Sequence, residues 1–515
     1  MADTGDGYDV VEASIATLAA DMAAGKVTSA ALVAAYAARI RSLDWAGPML
    51  GSVIALNPKA ADNAQALDAE RAAGKVRGPL HGVPILVKDN IETDDGTATT
   101  AGSLALAGNM TLRDAPMVAR LKAAGAVILG KTNLSEWANI RTSASVSGWS
   151  GVGGLTRNPY VLDRSAGGSS SGTGTAIAAS LAAAGVGTET DGSVTCPASF
   201  AGLAGLKPTL GFVSRTHIVP ISHSQDTPGP MCRSVADAAI LLTAIAGSDP
   251  VDPATAEADA HATDFTAGLA SASLAGKRLG LLPPLVRPRP AHQQVFEAAL
   301  ALLRREGAEI VSLEGFEYPA KLGRDEHAVL MSETKADINA YLATTPAAVT
   351  TRTLAEVIAF NEATPRELSL FGQDLFERAE ATAGLDDPAY LKARADSLRA
   401  AGAEGIDKLI AEHHLDALIA PCNGPAGRFD LAGGDGGWPA RTSQMPAVAG
   451  YPHLTVPMGD VMGLPVGLSF IGPAWSDAAM LALGYAFEQV AKARQAPRYL
   501  PTLEDHEAFA PAAPR

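Results

Sequence analysis

The stretch that most constrains this chain runs from Asp163 to Gly211 and reads DRSAGGSSSGTGTAIAASLAAAGVGTETDGSVTCPASFAGLAGLKPTLG. It holds two hydroxyl-bearing glycine turns, Gly167-Gly168-Ser169-Ser170-Ser171-Gly172 and Thr190-Asp191-Gly192-Ser193, with an alanine-rich segment between them. Glycine admits backbone conformations closed to other residues and lets main-chain N–H groups approach a bound atom. A flexible Gly/Ser linker would have no use for Ile177, Leu181 and Val186 between its glycines. The stretch is therefore read as two turns joined by a helix over Ala176 to Ala184, the floor of a catalytic site.

Upstream, Val11 to Asp44 predicts two helices. Ile15, Leu18 and Met22 share one helical face, Gly25 breaks it, and Thr28-Ser29 can cap a second helix carrying Leu32, Tyr36, Ile40 and Leu43. Asn63 to Gly74 predicts a further helix. GPLHGVPILVKDN, residues 78–90, is a turn followed by a continuous apolar run, the pattern of a strand buried on both faces. Lys88 stands at its end, although lysine ordinarily snorkels to the surface. Pro116 to Gly125 reads as a helix and Ala126 to Leu129 as a short buried strand. This alternation predicts an α/β core. From about Arg287 to His414 helical periodicity and charge dominate, as in Val295–Arg305, Leu354–Glu362 and Tyr390–Ala400, which predicts a mainly helical insertion. Strand patterns return over 415–515, at Leu415–Ala420, Leu454–Val456 and Leu464–Ile471. No internal repeat is visible. The expectation is one domain over 1–515 with its core at 80–240.

Whole-chain properties exclude several functions. The chain is 47% hydrophobic and 18% charged, enough for a large core, and its net charge of -15 lacks the basic footprint of a nucleic-acid binder. Cys196, Cys232 and Cys422 form no CxxC pair, so neither a disulfide framework nor a zinc site is implied. The N-terminus, MADTGDGYDVVEAS, lacks the basic-then-apolar profile of an export signal, and no apolar run reaches the roughly 18 residues of a membrane span. The expected location is the cytoplasm, with no membrane partner.

Two motif matches fail on physical grounds. Gly125-Ala126-Val127-Ile128-Leu129-Gly130-Lys131-Thr132 satisfies GxxxxGK[ST]. A phosphate loop must curl its middle N–H groups around oxygens, whereas Ala-Val-Ile-Leu favours a buried strand. Gly168-Ser169-Ser170-Ser171-Gly172 satisfies GxSxG, but the nucleophile elbow needs a strand directly before it, and residues 160–166 read as a loop. His217, His223 and His453 stand in no supporting context, and His81 lies in a Gly/Pro turn. No HExxH or EF-hand loop appears, so no metal and no cofactor is expected.

What remains is Lys88, Ser169 and Ser193 with their flanking glycines. The segments HGVPILVKDN (81–90), GKTNLSEWAN (130–139), AGGSSSGTG (166–174), GTETDGS (187–193) and GLKPTLG (205–211) carry a resemblance to the amidase signature family, which uses a Ser–cis-Ser–Lys triad. The resemblance extends over most of the chain and implies that family's fold, a large mixed β-sheet flanked by helices on both faces. Within the family, SEWAN, SGWS, TRNPY, GTETDGSVTCPA and SQDTPGPM resemble the bacterial branch that removes the C-terminal amide of peptides and releases ammonia. Two positions depart from the broader pattern: Ser171 and Asp191 stand where many members have glycine. The residue at 191 matches the peptide-amide branch, and its carboxylate could structure the loop or touch substrate.

The resemblance assigns roles. Ser193 attacks the amide carbonyl, Ser169 relays the proton, and Lys88 is the base, its charged form disfavoured by burial. The N–H groups of Thr190, Asp191, Gly192 and Ser193, ahead of a helix, would form an oxyanion hole. Ser143 aligns with a family position near the scissile group, and Trp149 and Ser170 are further substrate-contact candidates. Trp149 and Tyr160 could each line the acyl pocket or pack in the core, and Asp226 reads as structural. The implied substrate is a small-molecule or peptide amide, with no obligate protein partner. The alternatives are an aryl or fatty acylamidase, or the A-type glutaminase component of an amidotransferase.

Overall fold

The apolar runs of the sequence assemble into one sheet in the computed structural model, which describes residues 8–283, 289–434 and 442–505. The strands are β1 (Val53–Leu56), β2 (Pro84–Lys88), β3 (Val127–Thr132), β4 (Trp149–Ser150), β5 (Gly154–Leu155), β6 (Ala184–Glu189), β7 (Ala204–Lys207), β8 (Thr227–Cys232), β9 (Arg278–Leu281), β10 (Glu309–Ser312), β11 (Ala417–Pro421), β12 (His453–Val461) and β13 (Leu464–Ile471). Eleven of them form a mixed sheet in the order β1-β3-β2-β6-β8-β7-β12-β13-β11-β9-β10, while β4 and β5 make a separate hairpin. β2 runs parallel to both β3 and β6, and β6 runs antiparallel to β8.

Successive strand residues point to opposite faces. Every residue of β2, β3, β6, β7 and β8 is buried, so both faces of the central sheet are covered. The chain thus has an α/β fold with helices packed on a large mixed sheet. Near the N-terminus, helices Ile15–Ala23 and Ser29–Arg39 form as the pattern predicts, and the Thr28 side chain caps the second by accepting from Ala31 N–H. Over 289–414 six α-helices dominate, including Leu322–Leu342, Leu354–Ala363 and Pro388–Ala401, yet β10 joins the sheet edge beside β9. Residues 287 and 288 lie outside the described residues.

One local expectation is corrected. The helix placed at Ala176–Ala184 instead spans Ser171–Ala178, and Ala184 opens β6. Alanine favours a helix, but the chain turns at Ser180, which has φ of +54°. The following Gly185, Val186 and Gly187 are held by backbone pairing to β8, with Gly185 and Val186 also paired to β2. Tertiary pairing overrides intrinsic propensity here. The GKT sequence lies on β3 as a buried strand, and a Cβ at Gly130 would run into the Ala55 carbonyl. No helix of the described residues is long and apolar enough to cross a membrane.

Candidate active site

Lys88 ends β2, so its side chain leaves the central sheet where the first serine turn passes. The residue is fully buried. Its Nζ lies 2.7 Å from Ser169 Oγ, 2.9 Å from Thr188 Oγ1 and 3.2 Å from Thr188 O. Burial lowers its pKa to about 7, against the opposing pull of Asp226 and Glu189. Burial alone does not distinguish Lys88. Lys207 is also buried and lowered to about 8, and Lys131, lowered by burial too, bonds to Ile91 O and Thr99 Oγ1. What sets Lys88 apart is its contact with the serine turn.

That turn contains a cis peptide bond between Gly168 and Ser169. Gly168 is required by space: a Cβ there would meet Ser135 Oγ, with Ser147 Oγ at 3.1 Å and Asn139 Nδ2 at 3.2 Å. Ser135 N–H donates to Ser169 O at 3.0 Å, and Ser171 Oγ donates to Gly167 O at 2.6 Å, which pins the turn on both sides.

The second turn follows β6. Glu189, the last residue of that strand, accepts from Val194 N–H at 2.8 Å and Thr195 N–H at 2.9 Å through one oxygen. Its carboxylate therefore ties the strand end to the start of helix Thr195–Phe200 and bends the four residues between. Gly192 has φ of +79°, a conformation that favours glycine, and its carbonyl accepts from Cys196 N–H at 2.8 Å. Thr190 Oγ1 donates to Asp226 Oδ1 at 2.6 Å. The two turns touch where Ser170 N–H donates to Ser193 O at 3.1 Å. Among the described residues, the N–H groups of Gly192 and Ser193 and the Ser193 hydroxyl have no hydrogen-bond partner.

Thr190, Asp191, Gly192 and Ser193 line a cleft of about 400 Å³ together with Asn139, Gly168 and Cys196. Its opposite wall comes from helix Leu322–Leu342 and from helix Gln444–Ala449, through Glu326, His327, Met331 and Gln444. A larger cavity of about 650 Å³ shares the Ala138, Thr190 and Ile221 wall. The structure thus brings Lys88 to Ser169 and Ser169's turn to Ser193.

The three expected substrate contacts lie elsewhere. Ser143 is exposed, and its N–H and Oγ donate to Asp374 at 2.9 and 2.8 Å. Trp149 packs edge-on against Phe371, with the Arg141 guanidinium over its ring. Ser170 Oγ is buried and exchanges hydrogen bonds with the Thr188 backbone, 3.1 Å to the carbonyl and 3.2 Å to the N–H. None of them lines the cleft. Tyr160 donates to Gln495 O at 2.6 Å, away from the cleft. Asp226 accepts from Ile221 N–H, Ser222 N–H and Thr190 Oγ1, which makes it a loop anchor, and burial raises its pKa to about 6.

The histidines named above are likewise occupied or remote. His81 Nε2 bonds Leu67 O at 2.9 Å, and His453, its pKa lowered to about 3 by burial, bonds Ser469 Oγ at 2.6 Å. His217 lines the larger cavity. His223 pairs with Asp337 and, with Glu333, is the one cluster of ligand-type groups among the described residues. Glu333 already accepts from Ser224 Oγ and Tyr390 OH at 2.8 Å each, and none of the three lines the cleft.

Several residues at the site escaped the sequence reading. Glu189 had a readable signal, an acidic side chain at a strand end shortly before a helix start. Thr188 and Gln225 lie within the matched segments GTETDGS and SQDTPGPM, whereas Glu326, His327 and Gln444 carried no signal, because they meet the site only through the tertiary fold.

A family model described as Amidase matches residues 31–481. A probable amidase of Arabidopsis thaliana is 38% identical over 505 residues, covering 96% of this chain and 93% of that protein. The A-type component of the glutamyl-tRNA(Gln) amidotransferase of Symbiobacterium thermophilum is 34% identical, covering 92% of this chain and 96% of that protein. Among solved structures, native peptide amidase from Stenotrophomonas maltophilia is 50% identical, with a TM-score of 0.91, covering 95% of this chain and 99% of that one. A peptide amidase in complex with the competitive inhibitor chymostatin also superposes with a TM-score of 0.91.

Proposed function

The chain belongs to the amidase family and is an enzyme acting on amide C–N bonds, and from that premise we propose that it hydrolyses the C-terminal carboxamide of peptides through Ser193, Ser169 and Lys88. The observation that carries this reading is the 2.7 Å contact between buried Lys88 Nζ and Ser169 Oγ, directly behind the turn that presents Ser193 to the cleft.

A neutral lysine amine has two N–H donors and one lone pair. Thr188 O and Thr188 Oγ1 accept the two donors, which leaves the lone pair for the Ser169 hydroxyl proton. Ser193 Oγ attacks the carboxamide carbon while its proton passes to Ser169 and Ser169's proton passes to Lys88. The carbonyl oxygen becomes an oxyanion on the N–H groups of the 190–193 turn, each such donor being worth about 3 kcal/mol. The relay then runs backwards and protonates the nitrogen, the C–N bond breaks, ammonia leaves, and an ester to Ser193 remains. Water attacks that ester with the same relay, giving the peptide carboxylate and free Ser193. The sum is one amide plus one water to one carboxylic acid plus one ammonia.

The peptide amide is favoured over an aryl or fatty amide because a peptide amidase shares 50% of residues with this chain over nearly its whole length. The amidotransferase relative stands at 34%. The test is ammonia release from the purified chain across dipeptide amides, aryl anilides, fatty amides and glutamine. Peptide amides should give the highest kcat/KM. Turnover confined to glutamine would move the chain to the amidotransferase reading.

A further inference from the structure

Thr190 lies in the turn to which the oxyanion hole is assigned, and its carbonyl is held from outside that turn. Gln225 Nε2 donates to Thr190 O at 3.2 Å and to Glu326 Oε1 at 3.0 Å. Both neighbours are acceptors, so the orientation of the Gln225 amide is fixed by chemistry, with one N–H on each. Gln225 is buried, and Glu326 is itself held through its other oxygen by Gln444 Nε2 at 2.8 Å. Two side-chain amides bridged by the Glu326 carboxylate therefore link the nucleophile turn to the cleft wall formed by helices Leu322–Leu342 and Gln444–Ala449.

The Thr190–Asp191 peptide is not the cis one. In a trans peptide the carbonyl and the following N–H point in opposite directions on one rigid plane. Fixing Thr190 O on Gln225 thus fixes the direction of Asp191 N–H. A donor on the carbonyl also polarises the peptide and strengthens that N–H as a donor in its turn. The hydroxyl of Thr190 on Asp226 fixes the same residue from the side-chain end.

We infer that Gln225 is a positioning residue that aims the Asp191 N–H at the developing oxyanion, and so acts on the transition state and not on substrate binding. This inference rests on the acyl-transfer reading above. An oxyanion hole rewards interactions made only in the transition state, and those appear in kcat and in the affinity of oxyanion mimics.

The experiment uses peptide amide turnover together with a peptide aldehyde, which forms a tetrahedral adduct with a serine nucleophile. In Gln225→Met, which keeps the length and removes the donors, kcat should fall at least about tenfold with KM within about twofold. The inhibition constant of the aldehyde should rise by the same factor as kcat/KM falls. Gln225→Glu, an acceptor in place of the donor, should show the same pattern and serves if the methionine variant does not fold. Unchanged aldehyde affinity alongside reduced turnover, or a rise in KM alone, overturns the positioning role while leaving the reaction intact. A wild-type enzyme that forms no adduct with the aldehyde overturns the acyl-transfer reading and this inference with it.

Discussion

Lys88 Nζ rests 2.7 Å from Ser169 Oγ, and its two remaining contacts go to Thr188 and not to a carboxylate. With burial lowering its pKa to about 7, the amine is available as a base near neutrality. In the proposed relay the deprotonated form is the active one, so kcat/KM should rise with pH through about 7 and stay high in the alkaline range. Lys88→Met should fold and be inactive. A histidine ordinarily titrates in the same region, near 6.5, so His81, His217, His223, His327 and His453 should each be replaced in turn. The acidic limb should survive every replacement. The same shift has a stability signature. Between the folded value and the ordinary lysine range, the unfolded chain binds a proton that the folded chain lacks, so stability should rise with pH across that window. Lys207 and Lys131, also lowered by burial, add to the same slope, so Lys88→Met should reduce it by the Lys88 share in chemical denaturation series.

Glu189 holds two buried N–H groups, those of Val194 and Thr195, at the start of the helix that follows the 190–193 turn. Glu189→Ala should leave both without an acceptor and cost about 1 to 3 kcal/mol of stability. Because the turn between is bent by those bonds, kcat should fall by about tenfold or more. Paired urea denaturation and turnover measurements check both. Loss of stability with wild-type kcat would show that the turn keeps its shape unaided.

The sequence made the central strands legible because burial on both faces writes itself as an uninterrupted apolar run, as in residues 84–87 of β2. Thr28 announced its helix through cap chemistry that is local. The joining helix was misplaced because alanine propensity is also local, while the pairing of β6 with β2 and β8 is not. Lys88, Ser169 and Ser193 were singled out through motif resemblance. Contacts made only through the tertiary fold were not legible: Gln225 reaches Glu326 across 101 positions of sequence, and Asp374 reaches Ser143 across 231. Ser143 and Trp149 were named as substrate contacts, and the partners they have in the fold, Asp374 and Phe371, lie far along the chain.

Arg141 is buried between Glu136 and Glu367, where it ties the 136–140 loop on the cleft wall to the helical segment. Arg141→Met should leave buried carboxylates without their cation and cost about 3 to 5 kcal/mol. Burial already raises the Glu136 pKa well above the carboxylate range despite Arg141. Without the arginine it should rise further, so the loss should shrink as pH falls and the carboxyl takes a proton. Thermal unfolding of wild type and variant at several pH values checks this. A deficit that is constant with pH would place the cost in lost packing against Trp149 and Phe371.

Everything in the account depends on Ser193 being the atom that forms the bond, in preference to Ser170 in the GxSxG sequence beside it. Ser193 Oγ stands at the cleft without a hydrogen-bond partner among the described residues, whereas Ser170 Oγ is buried against the Thr188 backbone. The direct measurement is peptide mapping by mass spectrometry after inactivation with a serine-directed phosphonate, in wild type and in Ser193→Ala. The account predicts one adduct on Ser193, matched to the loss of activity, and neither labelling nor turnover in the folded Ser193→Ala enzyme. An adduct on Ser170, or undiminished turnover in Ser193→Ala, would contradict it.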